Sequence, residues 1–121
     1  MRLKEILTDL VERTPGARAA VLADWEGEAV VAYTSGDQTD YDIKFVGAHQ
    51  GIILTQAREM IERCEMGAAR ELSFAQQNFQ VITIPVNSDY YLVLTLQPGP
   101  HAAFARATLK KAVREIEEDI A

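Results

Sequence analysis

The side chains that could do chemistry in this 121-residue chain are few, and the sequence does not bring them together. Cys64 is the one cysteine, and a thiol nucleophile needs a general base beside it. His49 is predicted on the same helix about fifteen residues away, which at ~1.5 Å per residue is out of reach. His101 is predicted in solvent at the start of the last helix. Because Cys64 falls on the apolar side of its helix, we expect a buried and unreactive thiol.

Sites for metals, nucleotides and nucleic acids are not indicated either. Zinc sites need several thiols or imidazoles, and the chain has one cysteine and two histidines. No glycine-rich segment has the Gly-x-x-x-x-Gly-Lys pattern of a phosphate-binding loop. A formal net charge of −6 disfavours nucleic acid and anionic membranes, because both are bound by clustered lysine and arginine. We therefore expect no cofactor and no enzymatic activity.

The start of the chain and its hydropathy predict a soluble cytoplasmic protein. Residues 1–5 are typical of an amphipathic helix and lack the continuous apolar stretch of a signal peptide. No apolar run approaches the ~20 residues that are needed to span a bilayer. The length suits one domain over residues 1–121, and about half of the residues are apolar, which is enough for a core.

Apolar periodicity divides the chain into three helices and five strands. The predicted order is a helix over 3–11, strands over 19–23 and 28–33, a helix over 41–66, strands over 70–75, 79–84 and 90–96, and a helix over 102–120. The first helix is stopped by Thr14-Pro15-Gly16, and Asp24 and Gly27 serve the turn of a hairpin. Thr39 or Asp40 is predicted to cap the long helix.

This order of elements predicts an α/β fold with one mainly antiparallel five-stranded sheet. The long helix covers one face and the two terminal helices the other, which explains a first strand that is apolar at consecutive positions. Gly67 is predicted to end the long helix in the left-handed conformation. The predicted core stripe of that helix is Ile43, Val46, Ile53, Leu54, Ala57, Met60, Ile61 and Cys64.

Two segments, together with the order of elements, resemble the Roadblock (dynein light chain) family. The first is Leu10-Val11-Glu12-Arg13-Thr14-Pro15-Gly16-Ala17, followed by a strand that ends in Asp24-Trp25-Glu26-Gly27. The second is Ile84-Pro85-Val86 with Asp89-Tyr90-Tyr91-Leu92-Val93-Leu94. The resemblance covers nearly the whole chain, which looks like the minimal, single-domain prokaryotic form.

The resemblance implies a profilin-like three-layer fold and a homodimer. In that dimer the third strands of two subunits join into one sheet, and the two long helices lie side by side. It also implies that the partner is a small Ras-like GTPase, since prokaryotic members commonly sit beside such GTPases and some act as GTPase-activating partners. The alternative is a structural scaffold or adaptor subunit that pairs with other Roadblock-type proteins.

Candidate interface residues lie on the long helix and the third strand. Gly47 and Gly51 have the small-xxx-small spacing that permits close approach, either by a partner helix or by the sheet beneath, and the resemblance favours the partner. The third strand has free backbone groups at the sheet edge, which the same strand of a second copy would satisfy. The predicted dimer or partner interface consists of Phe45, Ala48, Gly51, Ile52, Thr55, Arg70, Leu72 and Phe74.

Trp25 and three arginines are weaker candidates for partner contacts. Trp25 is predicted to fold back over its own sheet, with a partner contact as the alternative. Arg58, Arg63 and Arg70 are each able to touch a GTPase. The first two have a glutamate one helical turn away, which favours a solvated charged face over an arginine finger. If the chain activates a GTPase, we expect it to position the GTPase's own residues.

Overall fold

Three helices and five antiparallel strands make up the computed structural model, which describes residues 2–36, 40–99 and 101–120. The elements are α1 (Leu3–Arg13), β1 (Ala17–Asp24), β2 (Ala29–Thr34), α2 (Asp40–Arg63), β3 (Leu72–Ala75), β4 (Gln80–Pro85), β5 (Tyr90–Leu96) and α3 (Ala102–Ile120). The sheet order is β2-β1-β5-β4-β3, and each neighbouring pair is antiparallel. The predicted fold class is confirmed, while the predicted α2 cap at Thr39 or the Asp40 side chain lies outside the described residues.

The sheet separates two hydrophobic cores. Along β1, Ala20 and Leu22 face the core that α1 and α3 complete, while Val21 faces the core beneath α2. The central strands β1 and β5 are therefore buried on both faces, and the consecutive apolar residues of β1 are explained as predicted.

Polar contacts at the end of α1 fasten that helix to α3. Thr14 is buried, and its hydroxyl lies 2.8 Å from the hydroxyl of Thr108. The Thr14 carbonyl accepts a hydrogen bond from the Ala17 amide at 3.0 Å, which closes the turn into β1. The predicted end of the first helix is thus confirmed as a tight turn, and α3 holds this turn in place through Thr108.

The buried face of α2 differs from the predicted stripe. Ile53, Met60 and Cys64 were expected in the core, but all three are exposed. Gly47 and Gly51 are buried in their place. Residues without side chains let the helix backbone approach the sheet, so the line of contact runs through them and turns the larger Ile53 and Met60 outward.

The end of α2 also differs from the prediction. The helix was expected to reach Met66 and to end at a left-handed Gly67, but it ends at Arg63. Glu65 has a φ of +53°, and the Met66 amide donates to the Ile61 carbonyl at 3.1 Å. This bond and the left-handed residue before it form a Schellman motif, in which Glu65 occupies the position usually held by glycine.

Candidate partner-binding surface

Large apolar side chains on α2 form an exposed stripe. We define the apolar stripe as Phe45, Ile52, Ile53 and Met60, whose exposed fractions are 55%, 59%, 37% and 56%. No charged residue occurs from Phe45 to Ala57. Exposed apolar patches of this kind mark interaction surfaces. Phe45 and Ile52 were predicted as interface residues, whereas Ile53 and Met60 were assigned to the core because hydropathy alone does not show which way a helix is turned.

Under the stripe, α2 approaches the sheet through its two glycines. A Cβ atom on Gly47 would lie 2.8 Å from Cγ1 of Val21, and one on Gly51 would lie 2.6 Å from Cζ of Tyr91. The Tyr91 hydroxyl donates to the Gly47 carbonyl at 2.8 Å. The close approach therefore serves the sheet of the same chain, the alternative that the resemblance had disfavoured. Gly51 is accordingly a buried residue that supports the surface from below.

Tyr91 makes this support sensitive to alkaline pH. Burial and, as the smaller cause, the Asp24 carboxylate together raise the pKa of Tyr91 from 10.0 to about 12. Because the pKa in the folded state lies above the ordinary value, the stabilisation is complete below pH 10 and is lost as the pH rises through about 12. We expect the free energy of unfolding, measured with denaturant, to fall over this range less steeply in Tyr91→Phe. An identical slope in the variant would contradict this origin.

A buried polar pair adds a second contact between α2 and the sheet. Gln50 is 8% exposed and Thr83 is fully buried. The Thr83 hydroxyl donates to Gln50 Oε1 at 3.1 Å, which gives the buried hydroxyl and the amide oxygen a partner away from water. Gln50 is absent from the predicted core stripe of the helix, because glutamine is mostly found exposed.

The turn between β1 and β2 presses Trp25 onto the sheet, as predicted. Its ring centroid lies 5.1 Å from that of Tyr91, and its indole N–H donates to the Asn87 carbonyl at 3.2 Å. Asp24 Oδ1 accepts hydrogen bonds from the Glu26 and Glu28 amides at 3.0 Å, so this side chain serves the turn. Trp25 is thereby fixed beside α2.

The arginines considered for a GTPase contact lie in different surroundings. The Arg58 guanidinium stands 4.3 Å from the centroid of the Trp25 ring, a cation–π contact that replaces the predicted solvated pairing. Arg63 and Arg70 are exposed. Arg70 also precedes β3, which begins at Leu72 and is shorter than predicted.

The two edges of the sheet are unlike each other. At β2, Lys4 from α1 donates to the Ala32 carbonyl, and the Tyr33 hydroxyl donates to Glu12. At β3, the inner edge pairs with β4, and no other described residue bonds to the outer edge. The predicted interface residues Leu72 and Phe74 are half-buried on this open edge strand.

The remaining predicted interface residues lie on the other flank of α2, beside the turn. Ala48 is half-buried, and a Cβ atom on Gly27 would touch its Cβ at 3.5 Å. Thr55 is exposed, and its hydroxyl donates to the Gly51 carbonyl at 2.8 Å. Six of the eight predicted residues thus lie in pairs on three surfaces: the apolar stripe, the turn-facing flank and the β3 edge. Gly51 is buried and Arg70 is exposed just before β3.

The two side chains that were considered for nucleophilic chemistry, His49 and Cys64, lie in different surroundings. His49 Nδ1 lies 3.0 Å from the Phe45 carbonyl on its own helix, and Cys64 is an exposed free thiol. Among the described residues, no group of three or more histidine, cysteine or acidic side chains is arranged to hold a metal ion. The described helices include none that is long and apolar enough to cross a membrane.

Comparisons with known proteins agree with this architecture. A Roadblock/LC7 domain from Streptomyces avermitilis has a TM-score of 0.88 at 15% identity, over 97% of this chain and 96% of that one. Myxococcus xanthus MglB has a TM-score of 0.86 at 13% identity, over 99% and 95%. Acanthamoeba castellanii profilin II has a TM-score of 0.66 at 13% identity, over 98% and 99%.

The sequence itself gives a family match. No curated protein matches the chain. The solved structures above are too distant in sequence to show more than a shared fold. The model of the Roadblock/LC7 domain, by contrast, matches residues 3–96, which include α1, α2 and all five strands. The chain therefore belongs to the Roadblock/LC7 domain family.

Proposed function

We propose that this chain is a homodimeric binding partner and regulator of a small Ras-like GTPase. The observation that carries the proposal is membership of the Roadblock/LC7 family over residues 3–96, because prokaryotic members commonly accompany such GTPases. The apolar stripe supports it, since each of these four large side chains is more than one third exposed in a single copy. We further propose that the protein acts in the cytoplasm and contributes no catalytic group of its own.

The spacing of the apolar stripe favours a second copy of the chain as its first occupant. Phe45 and Ile52 are seven residues apart, as are Ile53 and Met60. An antiparallel copy centred between Ile52 and Ile53 would place Phe45 against Met60 of the second copy and Ile52 against its Ile53. A twofold interface needs this self-complementary pattern, in which each contact occurs twice.

The open β3 edge supports the same arrangement. In the sheet order, β3 lies at the edge opposite β2, and α2 packs chiefly on β1 and β2. A second copy that paired its β3 antiparallel with this one would continue the sheet, with the α2 helices of both copies on the same face. Strand pairing would satisfy the free backbone groups, and Leu72 and Phe74 would become buried.

If this chain activates a GTPase, it would do so by positioning the GTPase's own catalytic residues. The Arg58 guanidinium is stacked on Trp25 and held away from the stripe, so it is poorly placed to serve as an arginine finger. The segment from Phe45 to Ala57 contains no lysine, arginine, aspartate or glutamate, which suits contact with a switch segment better than contact with phosphate. The GTPase would supply the residues that stabilise the transferring phosphoryl group.

GTP hydrolysis measured with and without the protein tests the proposal directly. Each small Ras-like GTPase encoded near this chain is loaded with GDP or a non-hydrolysable GTP analogue and assayed for binding. We expect binding that prefers one nucleotide state, and a single-turnover rate at least about tenfold higher with the protein present if it is an activator. Binding without a change in the rate of GTP hydrolysis would mean that this protein binds the GTPase but does not activate it. Failure to bind in either state would overturn the proposal and favour a scaffold subunit.

A further inference from the structure

A groove on the flank of α2 that faces the β1–β2 turn has no role in the arrangement above. Its volume is about 310 Å³, and we define the turn groove by the residues that form its floor and walls. They include Trp25, Glu26, Gly27, Ala48, Ile52 and Thr55. We propose that the turn groove binds a protein segment in which a bulky apolar side chain stands next to lysine or arginine.

The walls of the turn groove are rigid before any partner arrives. Trp25 is held by three contacts: Tyr91 on one side, the Arg58 guanidinium at 4.3 Å, and the hydrogen bond to the Asn87 carbonyl. Gly27 lies close to Ala48 and also lines the groove. Because these groups are already ordered, binding would require little further loss of conformational entropy.

The chemistry of the partner follows from a second hollow that opens beside the groove. This acidic hollow has a volume of about 340 Å³ and shares Trp25 and Glu26 with the turn groove. Asp24 and Asp89 also line it, and it contains no basic residue. When an apolar side chain of the partner occupies the turn groove, the next residue of the partner would lie at the acidic hollow, which favours a positive charge. The net charge of −6 acts in the same direction.

The groove and the self-association surface are largely separate. Ile53 and Met60 lie on one flank of α2, while Ala48 and Thr55 lie on the other and face the turn. Ile52 stands on the ridge between them. A homodimer formed through the apolar stripe would cover this ridge and leave the Trp25, Ala48 and Thr55 side of both turn grooves accessible. The proposal does not depend on the GTPase partnership.

The single tryptophan of the chain provides the test, because its indole N–H gives one unambiguous NMR signal. The probe is a capped tripeptide of one leucine and two arginines, and the matched control carries two glutamates instead. We expect saturable shifts of the Trp25 indole signal with the basic peptide, at a Kd at least about tenfold lower than for the acidic one. Raising the salt concentration should weaken the basic peptide's binding.

Three variants locate the binding site. Glu26→Lys, at an exposed turn position, should weaken binding of the basic peptide about fivefold and strengthen that of the acidic one. Thr55→Phe should block the groove while Trp25 remains the single tryptophan, and Met60→Ala on the apolar stripe should leave the Kd of the peptide unchanged. The proposal is overturned by an absence of saturable shifts, by equal Kd values for the two peptides, or by a Kd that responds to Met60→Ala and not to Glu26→Lys.

Discussion

Replacing Gly51 with alanine is expected to lower the free energy of unfolding by about 2 kcal/mol or more. In a helix alanine normally gains about 1 kcal/mol over glycine, so the expected sign is the reverse of the helix propensity. The reason is steric: the new Cβ would lie 2.6 Å from Cζ and 3.0 Å from Cε1 of Tyr91. Tyr91 cannot move aside, because it is fully buried and its hydroxyl is bonded to Gly47. Denaturant unfolding measures the change.

The same substitution one turn earlier is the matched control. In Gly47→Ala the new Cβ meets mainly one methyl group, Cγ1 of Val21 at 2.8 Å, so the cost should be smaller than at Gly51. Adding Tyr91→Phe to Gly51→Ala should recover part of the loss, because the hydroxyl is removed from the contact while the ring remains. A Gly51→Ala variant as stable as the wild type would mean that α2 can move away from the sheet at little cost.

Gly47 and Gly51 mark the point at which apolar periodicity fails to predict the structure. Apolar periodicity located all eight elements and their layering, because each strand and helix must bury an apolar face. It misplaced the buried face of α2, since a periodicity argument favours large apolar residues while the actual contact uses Gly47 and Gly51. As a result, the prediction of the candidate surface was also wrong, because Ile53 and Met60 were assigned to the core although they are exposed.

Contacts between distant segments were the other features that periodicity could not supply. The bond between Thr83 and Gln50 joins residues 33 positions apart, and Trp25 is ordered by Asn87 and Arg58. The turn chemistry of Asp24, by contrast, depends on amides within four residues of it and was predicted correctly. Local backbone chemistry is readable in the sequence, whereas the pairing of a side chain across the fold depends on the crossing of α2 over the sheet.

A charge at Ile53, in the apolar stripe, is expected to have a large effect on dimerisation. Ile53→Glu is expected to convert the proposed homodimer to a folded monomer and to raise the dimer Kd at least about 100-fold. The side chain is 37% exposed, so the monomer should lose little stability. In the dimer the change occurs twice beside the twofold axis, which places two carboxylates close together in an apolar contact. Sedimentation equilibrium over a range of concentrations measures the Kd.

Two comparisons make the Ile53 result specific to the proposed register. Phe104→Glu changes a side chain that is 51% exposed on α3, across the sheet from the stripe, and should leave the Kd unchanged. Ile53→Lys should also be monomeric alone, yet a mixture of the Glu and Lys variants should associate, because the axis brings the two substituted positions together with opposite charges. If Ile53→Glu remained a dimer of unchanged Kd, the axis would lie elsewhere. If both variants were monomeric and their mixture failed to associate, α2 would contribute to the dimer without meeting its own copy near Ile53.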